Sequence, residues 1–265
     1  MKQISDLGTI LGVWAHPDDE AYLSGGLMAL ARDAGSRVVC VTATHGERGT
    51  ADPLRWPPDR LAAQRTTELR DCLDVLGVTE HHWLGYRDGE CARVPSSGAV
   101  ARLCDLIDEI RPDTVVTFGP DGQTGHPDHQ AVGRWTAAAV DWAAPARTRL
   151  LQSAVTGDWA RQWRIVNERF DVFAPGYPVT RRDNELSLRL SLDPGTLARK
   201  VKALTAQSTQ TAGLIAAMGE DQYAAWVAEE AFTEGVPAPL VCERCWWDHE
   251  NARWRCAGTP AASLR

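Results

Sequence analysis

Thr9-Ile10-Leu11-Gly12-Val13-Trp14-Ala15-His16-Pro17-Asp18-Asp19-Glu20 is the stretch from which the fold can be read. An apolar, largely β-branched run ends abruptly in a His-Pro-Asp-Asp cluster, and a helix-like sequence follows. That order predicts strand, loop and helix. The pattern recurs further along. Residues 114–119 form another β-branched run, His126-Pro127-Asp128-His129 follows shortly after, and a second helix-like stretch begins. In both clusters the first and fourth residues are metal-ligand types, and i, i+3 spacing points both the same way if the turn is helical. Pro17 and Pro127 fit the first helical position, where the missing N–H costs nothing. Two such clusters at the carboxyl ends of strands suggest one metal site built from two loops.

Outward from these clusters, the first 155 or so residues alternate strand and helix signals. Strands are expected at residues 10–15, 37–44, 81–84, 114–118 and 150–155, and helices at 21–34, 60–76, 98–110 and 131–143. This rhythm predicts an α/β fold: a Rossmann-like, doubly wound, mostly parallel sheet. The order 3-2-1-4-5 places strands one and four side by side at the switch point, where such sheets bind ligands. Those strands carry the two His-Pro-Asp clusters. The remainder is less regular, with strands expected at 170–173 and 185–192, and helices at 194–217 and 221–231. The chain reads as a single domain over 1–265, with a core at 1–155 and residues 156–265 completing a substrate cleft.

Composition narrows the function. A net charge of −7 over 265 residues argues against nucleic acid or an anionic membrane as the main partner. No apolar run is long enough to span a bilayer. Met1-Lys2-Gln3 runs straight into the first strand, so no signal peptide and a cytoplasmic location are expected. The 7 Cys are mostly single and lie in apolar segments, which reads as buried thiols in a reducing compartment. Of the 11 Trp, Trp135, Trp142, Trp159, Trp163 and Trp226 are expected in the core, with groove lining as the other reading. A homo-oligomer is compatible with the sequence.

Catalytic zinc takes three protein ligands and keeps a fourth position for water. His16, Asp19 and His129 supply that set. Asp18 and Asp128 remain beside the metal as non-ligands: one can serve as general base and the other can orient a histidine. The bland reading is that acidic first turns complement helix dipoles and that His-Pro is turn punctuation. Two such clusters at neighbouring strand ends make the metal reading the stronger one.

Trp14-Ala15-His16-Pro17-Asp18-Asp19-Glu20, Thr44-His45-Gly46-Glu47 and Gly125-His126-Pro127-Asp128-His129 together resemble the LmbE/PIG-L family of zinc-dependent N-acetylglucosaminyl deacetylases. The similarity runs in order over most of the first 145 residues. It resumes weakly at Ser208-Thr209-Gln210 and Glu230-Ala231-Phe232. The resemblance implies that His16, Asp19 and His129 bind Zn2+ and that Asp18 is the general base. His126 would stabilise the tetrahedral oxyanion, and Asp128 would hold a histidine. Arg65 and Asp88 match positions that grip sugar hydroxyls. The sequence departs from the pattern in three places. A carbonyl-polarising tyrosine has no matched position (Tyr86, Tyr177 and Tyr223 are candidates), Gln207 stands where His is expected, and His45 replaces an apolar residue.

The expected activity is therefore zinc-dependent removal of an N-acetyl or other N-acyl group from a small-molecule glucosaminyl conjugate by metal-activated water. Cleavage of a thiol S-conjugate amide would use the same metal site. From another class, a metal-dependent sugar-binding protein would need no base beside the metal. Trp56, in Trp56-Pro57-Pro58 after the second strand, is expected to wall the site for a bulky aglycone. Cys242, Cys245, His249 and Cys256 have ligand types for a second zinc, but Trp246-Trp247 among them favours a thiol-containing strand. His81-His82 and Arg181-Arg182 read as solvated or locally satisfied groups. The glycines form no dinucleotide fingerprint.

Overall fold

Strand β1 (Ile10–Trp14) is buried at every position, and so is β2 (Val38–Thr44). Their continuous apolar faces require cover on both sides. The computed structural model describes residues 4–235, 245–248 and 253–256. Parallel ladders join β1 to β2 (Ile10 opposite Val38) and to β4 (Thr114–Phe118; Ile10 opposite Thr114). With β3 (Glu80–Tyr86) and β5 (Arg149–Ser153), the sheet runs β3-β2-β1-β4-β5, the order expected from the sequence.

Right-handed crossovers then dictate the layers. Helices α1 (Asp19–Asp33) and α2 (Pro58–Leu76) lead the chain one way along the sheet and cover one face. Helices α3 (Ser96–Ile110) and α5 (Pro127–Ala143), the latter entered through the short α4 (Gly122–Gly125), lead it the other way and pack together on the opposite face. Strands β1 and β4 are therefore where the loops diverge, and both His-Pro-Asp clusters leave the sheet there.

The second half extends this sheet. After the two-residue β6 (Val155–Thr156), α6 (Gly157–Gln162), α7 (Arg164–Arg169) and β7 (Thr180–Arg181), strand β8 (Leu186–Ser191) pairs antiparallel with β9 (Glu229–Glu234). Strand β9 in turn pairs antiparallel with β5. Helix α8 (Pro194–Ala206) joins the layer of α1 and α2. Helices α9 (Ser208–Met218) and α10 (Glu220–Trp226) follow. The short strands Cys245–Asp248 and Arg253–Cys256 form a separate antiparallel ribbon.

Several expectations are corrected. Residues 170–173 form a turn, not a strand. The helix expected over 221–231 stops at Trp226, and Glu229 onward is sheet. The helix expected over 194–217 breaks at Gln207. Pro127 does occupy the first position of its helix, but Pro17 lies before the N-cap Asp18. Trp135, Trp163 and Trp226 are buried, whereas Trp142 is 69 % exposed.

Candidate active site

The loop after β1 is held in an uncommon conformation. Asp18 has φ 111°, in a region that a residue with a Cβ rarely adopts. Its N–H donates to Glu20 Oε2 at 3.0 Å, and its carbonyl accepts the N–H groups of Ala21 and Tyr22 at 3.0 and 2.9 Å. Glu20 is fully buried and accepts Gln207 Nε2 at 2.6 Å. Gln207, the departure noted above, thus supports the acid beneath the loop. Arg65 is 3 % exposed; its guanidinium donates to Pro17 O, Gly46 O and, at 3.2 Å, Asp18 Oδ2.

The loop after β4 is fixed by its own caps. His126 is the N-cap of α5, and its Nδ1 accepts the Asp128 N–H at 3.2 Å. In the neutral ring the proton therefore sits on Nε2. His129 Nδ1 lies 3.0 Å from Gly122 O. A carbonyl can only accept, so Nδ1 carries the proton and Nε2 presents its lone pair.

These loops converge. His16 Nδ1 lies 3.2 Å from His129 Nε2, and Asp19 carboxylate oxygens lie 3.6 and 3.3 Å from those two nitrogens. On its other side, His16 Nε2 is 3.1 Å from Asp88 Oδ1 and 3.4 Å from Asp128 Oδ2. Asp128 is anchored by the N–H groups of Gly89 and Cys91 at 2.7 and 3.0 Å. The outer carboxylates take the Nε2 proton and turn Nδ1 inward, as partners of a metal-binding histidine do. His126 also comes close, with potential ligand atoms of His16, His126 and His129 all within 4.8 Å; His16, Asp88 and Asp128 form a second such group.

Charge in the cluster is unbalanced towards the negative. Burial opposes charge on His16, yet its bonds to Asp128, Asp19 and Asp88 raise it well above its ordinary range. Burial lowers His129 to about 4 against the pull of Asp19, with His16 and His126 adding to the fall. Burial raises Asp18 well above the usual carboxylate range, opposed by Arg65 and assisted by Asp19. For Asp19, burial is outweighed by His129 and His16, which hold it low. The inward lone pair of His129, a second on His16 once a cation displaces its Nδ1 proton, an ionised Asp19 and surplus negative charge fit a divalent cation, and the N/O donor set suits zinc.

Other expected site residues acquire different settings. Arg65 lies beneath Asp18 rather than in open solvent. Asp88 is 6 % exposed, with one oxygen towards His16 and the other accepting the Arg48 N–H at 2.8 Å. Trp56 lies against the guanidinium of Arg60, 5.0 Å from its ring centre, and does not line the cleft described below. Tyr223 is fully buried and donates to the Tyr22 hydroxyl at 2.9 Å. Tyr177 accepts from Gln130 and packs on Gly125, whose φ of +83° and close tyrosine ring leave no place for a side chain. Tyr86 packs against Trp135. Arg181 is not free surface, because it pairs with Asp121 at 2.9 Å. Cys242 and His249 lie outside the described residues.

Sequence reading missed a cleft of about 290 Å³ that begins at Asp18, Asp19 and His129 and is walled by Tyr22, Leu23, Trp159, Phe173, Leu214 and Trp226. Two of these walls carried a signal: Tyr22 and Leu23 stand three and four positions after Asp19, on the same helical face.

A family model described as PIG-L, GlcNAc-PI de-N-acetylase, matches residues 11–140. A 1D-myo-inositol 2-acetamido-2-deoxy-alpha-D-glucopyranoside deacetylase of Kineococcus radiotolerans is 31% identical, over 96% of this chain and 79% of that protein. Among solved structures, N,N'-diacetylchitobiose deacetylase from Pyrococcus horikoshii is similar with a TM-score of 0.59 at 22% identity, covering 88% of this chain and 85% of that one. The 4-carboxy-2-hydroxymuconate hydratase of Pseudomonas putida is similar with the same TM-score, 0.59, at 15% identity over 87% of this chain and 97% of that one. The fold alone therefore does not choose the reaction. Among the described residues, no helix is long and apolar enough to cross a membrane.

Proposed function

Because the chain belongs to the PIG-L (LmbE-like) family, we propose that it is a zinc-dependent amidohydrolase that deacylates the 2-amino nitrogen of a glucosaminyl conjugate. The carrying observation is the meeting of His16 Nδ1, His129 Nε2 and the Asp19 carboxylate beside a strained, half-buried Asp18. The activity of the Kineococcus relative on an N-acetylglucosaminyl inositol supports the substrate class. A small-molecule substrate also suits the cleft.

His16, Asp19 and His129 would hold the zinc. When bound, it lowers the pKa of water and polarises the amide carbonyl. Asp18, as the ionised carboxylate beside the metal, takes the proton of the attacking water. Arg65 fixes the Asp18 carboxylate, and Glu20 holds its backbone. His126 Nε2–H is free to donate to the developing oxyanion, because Nδ1 is committed to the Asp128 N–H. The proton held by Asp18 then passes to the leaving nitrogen as the C–N bond breaks, releasing a carboxylic acid and an amine, which ionise to carboxylate and ammonium. Asp128 holds His16 throughout.

An acetate-release screen over N-acetylglucosaminyl conjugates, with a thiol S-conjugate amide in parallel, tests the reading. Release from the glucosaminyl series is expected, and cleavage of the S-conjugate alone would replace the substrate class. Asp18→Asn should lower kcat by at least about a thousandfold while zinc content stays at the wild-type level. Retained turnover would sink the mechanism.

A further inference from the structure

We infer that the cleft beside the ligand cluster is an acyl-chain pocket, so that the preferred amide carries a chain longer than acetyl. This rests on the deacylase reading above and specifies its substrate. The cleft meets the site at Asp18, Asp19 and His129, the water-activating side. None of His16, Asp88 or His126 lines it, so it lies apart from the His126 side of the cluster. An amide whose oxygen faces His126 and whose sugar stays on that half-exposed side therefore directs its acyl group into this cleft.

The lining matches such a group atom by atom. Ser153 Oγ and Gln123 Oε1 are buried without a hydrogen-bond partner among the described residues, and both residues line the cleft. Buried polar atoms are rarely left unpaired, so they mark where a polar part of a ligand belongs. The walls are mostly aromatic and aliphatic, with Tyr22, Trp159, Phe173, Leu214 and Trp226, and the two lining glutamates are engaged within the fold, Glu229 with Thr156 and Arg189 and Glu230 with Lys200. The Trp159 indole N–H is turned away to Trp226 O at 3.0 Å, and the Trp226 indole N–H to Asn167 Oδ1 at 3.1 Å. Both ring systems thus satisfy their polar ends elsewhere. A mostly apolar wall with a few unpaired polar atoms fits an amide that carries a hydrocarbon chain.

Size points the same way. A volume of about 290 Å³ is roughly ten times the ~30 Å³ share of one water, far more than an acetyl methyl fills. On that scale the cleft takes a chain on the order of six to eight carbons.

The test is a series of N-acylglucosaminyl conjugates with one common head group and acyl chains from acetyl to dodecanoyl, assayed on the zinc-loaded enzyme. We expect kcat/KM to rise about three- to fourfold per buried methylene up to the hexanoyl–octanoyl range and then level or fall. Leu214→Trp should lower the octanoyl-to-acetyl ratio of kcat/KM by at least tenfold; taking the ratio within one variant removes any effect of lost folded enzyme. Calorimetry on metal-free protein supplies a readout independent of turnover: octanoate should bind at least tenfold more tightly than acetate, and Leu214→Trp should abolish the difference. Cleavage of the acetyl conjugate with steadily slower longer chains would overturn the pocket and leave the deacylase reading intact. Preference for an octyl glycoside of the acetylated sugar over the octanoyl amide would overturn it too, by giving the cleft to the aglycone. If no amide of any length is cleaved, the deacylase reading fails, and the octanoate titration alone decides the pocket.

Discussion

At the scale of single residues, the position of Arg65 changes what its loss should do. A residue that only grips a sugar hydroxyl would, when altered, raise KM and leave kcat nearly unchanged. Arg65 is instead buried with three acceptors in its fork: Pro17 O, Gly46 O and Asp18 Oδ2. Lysine keeps the charge but cannot reproduce that planar set of donors. Arg65→Lys is therefore expected to lower kcat by about ten- to a hundredfold with KM changed less than threefold. Steady-state kinetics on the acetylated conjugate checks this; a pure KM effect would return Arg65 to sugar binding. Gly26 shows the same dependence on close approach. A Cβ there would fall 2.4 Å from a Leu192 methyl and 3.1 Å from Glu230 Oε1, so a side chain at that point would have to push Leu192 aside and crowd the buried carboxylate of β9.

Between elements, burial decides which charges matter. Lys200 of α8 and Glu230 of β9 are fully buried and 2.8 Å apart. The pair is stitched into the middle of α1: Glu230 accepts the Gly26 and Leu27 N–H groups, and Lys200 donates to Tyr22 O. Removing Lys200 strands a buried carboxylate, so Lys200→Met should cost about 3–5 kcal/mol in urea unfolding. Arg37 and Glu80 are equally close at 2.6 Å, but their side chains are 42% and 41% exposed. Arg37→Met should cost less than about 1 kcal/mol by the same measurement. Equal losses in the two variants would refute the distinction.

The edge strand β3 adds a pH dependence. His81 is bonded to Thr42 Oγ1 at 3.0 Å; burial, with His82 and His45 nearby, lowers its pKa to about 4. The unfolded chain protonates this histidine near its ordinary value of about 6.5, whereas the folded chain resists until about pH 4. Stability from this group is therefore complete above about pH 6.5 and declines as pH falls towards 4. His81→Gln should flatten the unfolding free energy between those limits, and an unchanged slope would exclude His81 as the cause.

For the molecule as a whole, the sequence was most legible where local pattern and tertiary environment agree. Strands β1, β2 and β4 are buried on both faces, so their β-branched runs report burial directly, and the sheet order places both His-Pro-Asp loops together. Agreement failed where distant contacts override local preference. Ala224, Ala225 and the glutamates after them read as helix, yet Glu229 to Glu234 pairs between β5 and β8. Val172 and Phe173 read as strand because they are apolar, but they line the cleft. The second contacts of Asp88 and Arg65 come from backbone groups that no side-chain motif encodes.

That architecture also sets the response to metal. The three proposed ligands come from segments after β1 and after β4 that are far apart in the chain and meet only on folding, so a bound cation ties them together in the folded state alone. Binding to the folded form at a hundred times Kd adds about 2.7 kcal/mol. For a chain of this size that is a rise in Tm of roughly 5–10 °C. Stripping the protein with a chelator should lower Tm by that amount, and adding back zinc should restore it. His129→Ala should remove the zinc-dependent shift, because the lone pair aimed by Gly122 O is lost. Trp56→Ala, outside the cleft lining and the ligand set, should retain it. A zinc-dependent shift that survives in His129→Ala, or none in the unaltered protein, would move the metal away from this pair of loops.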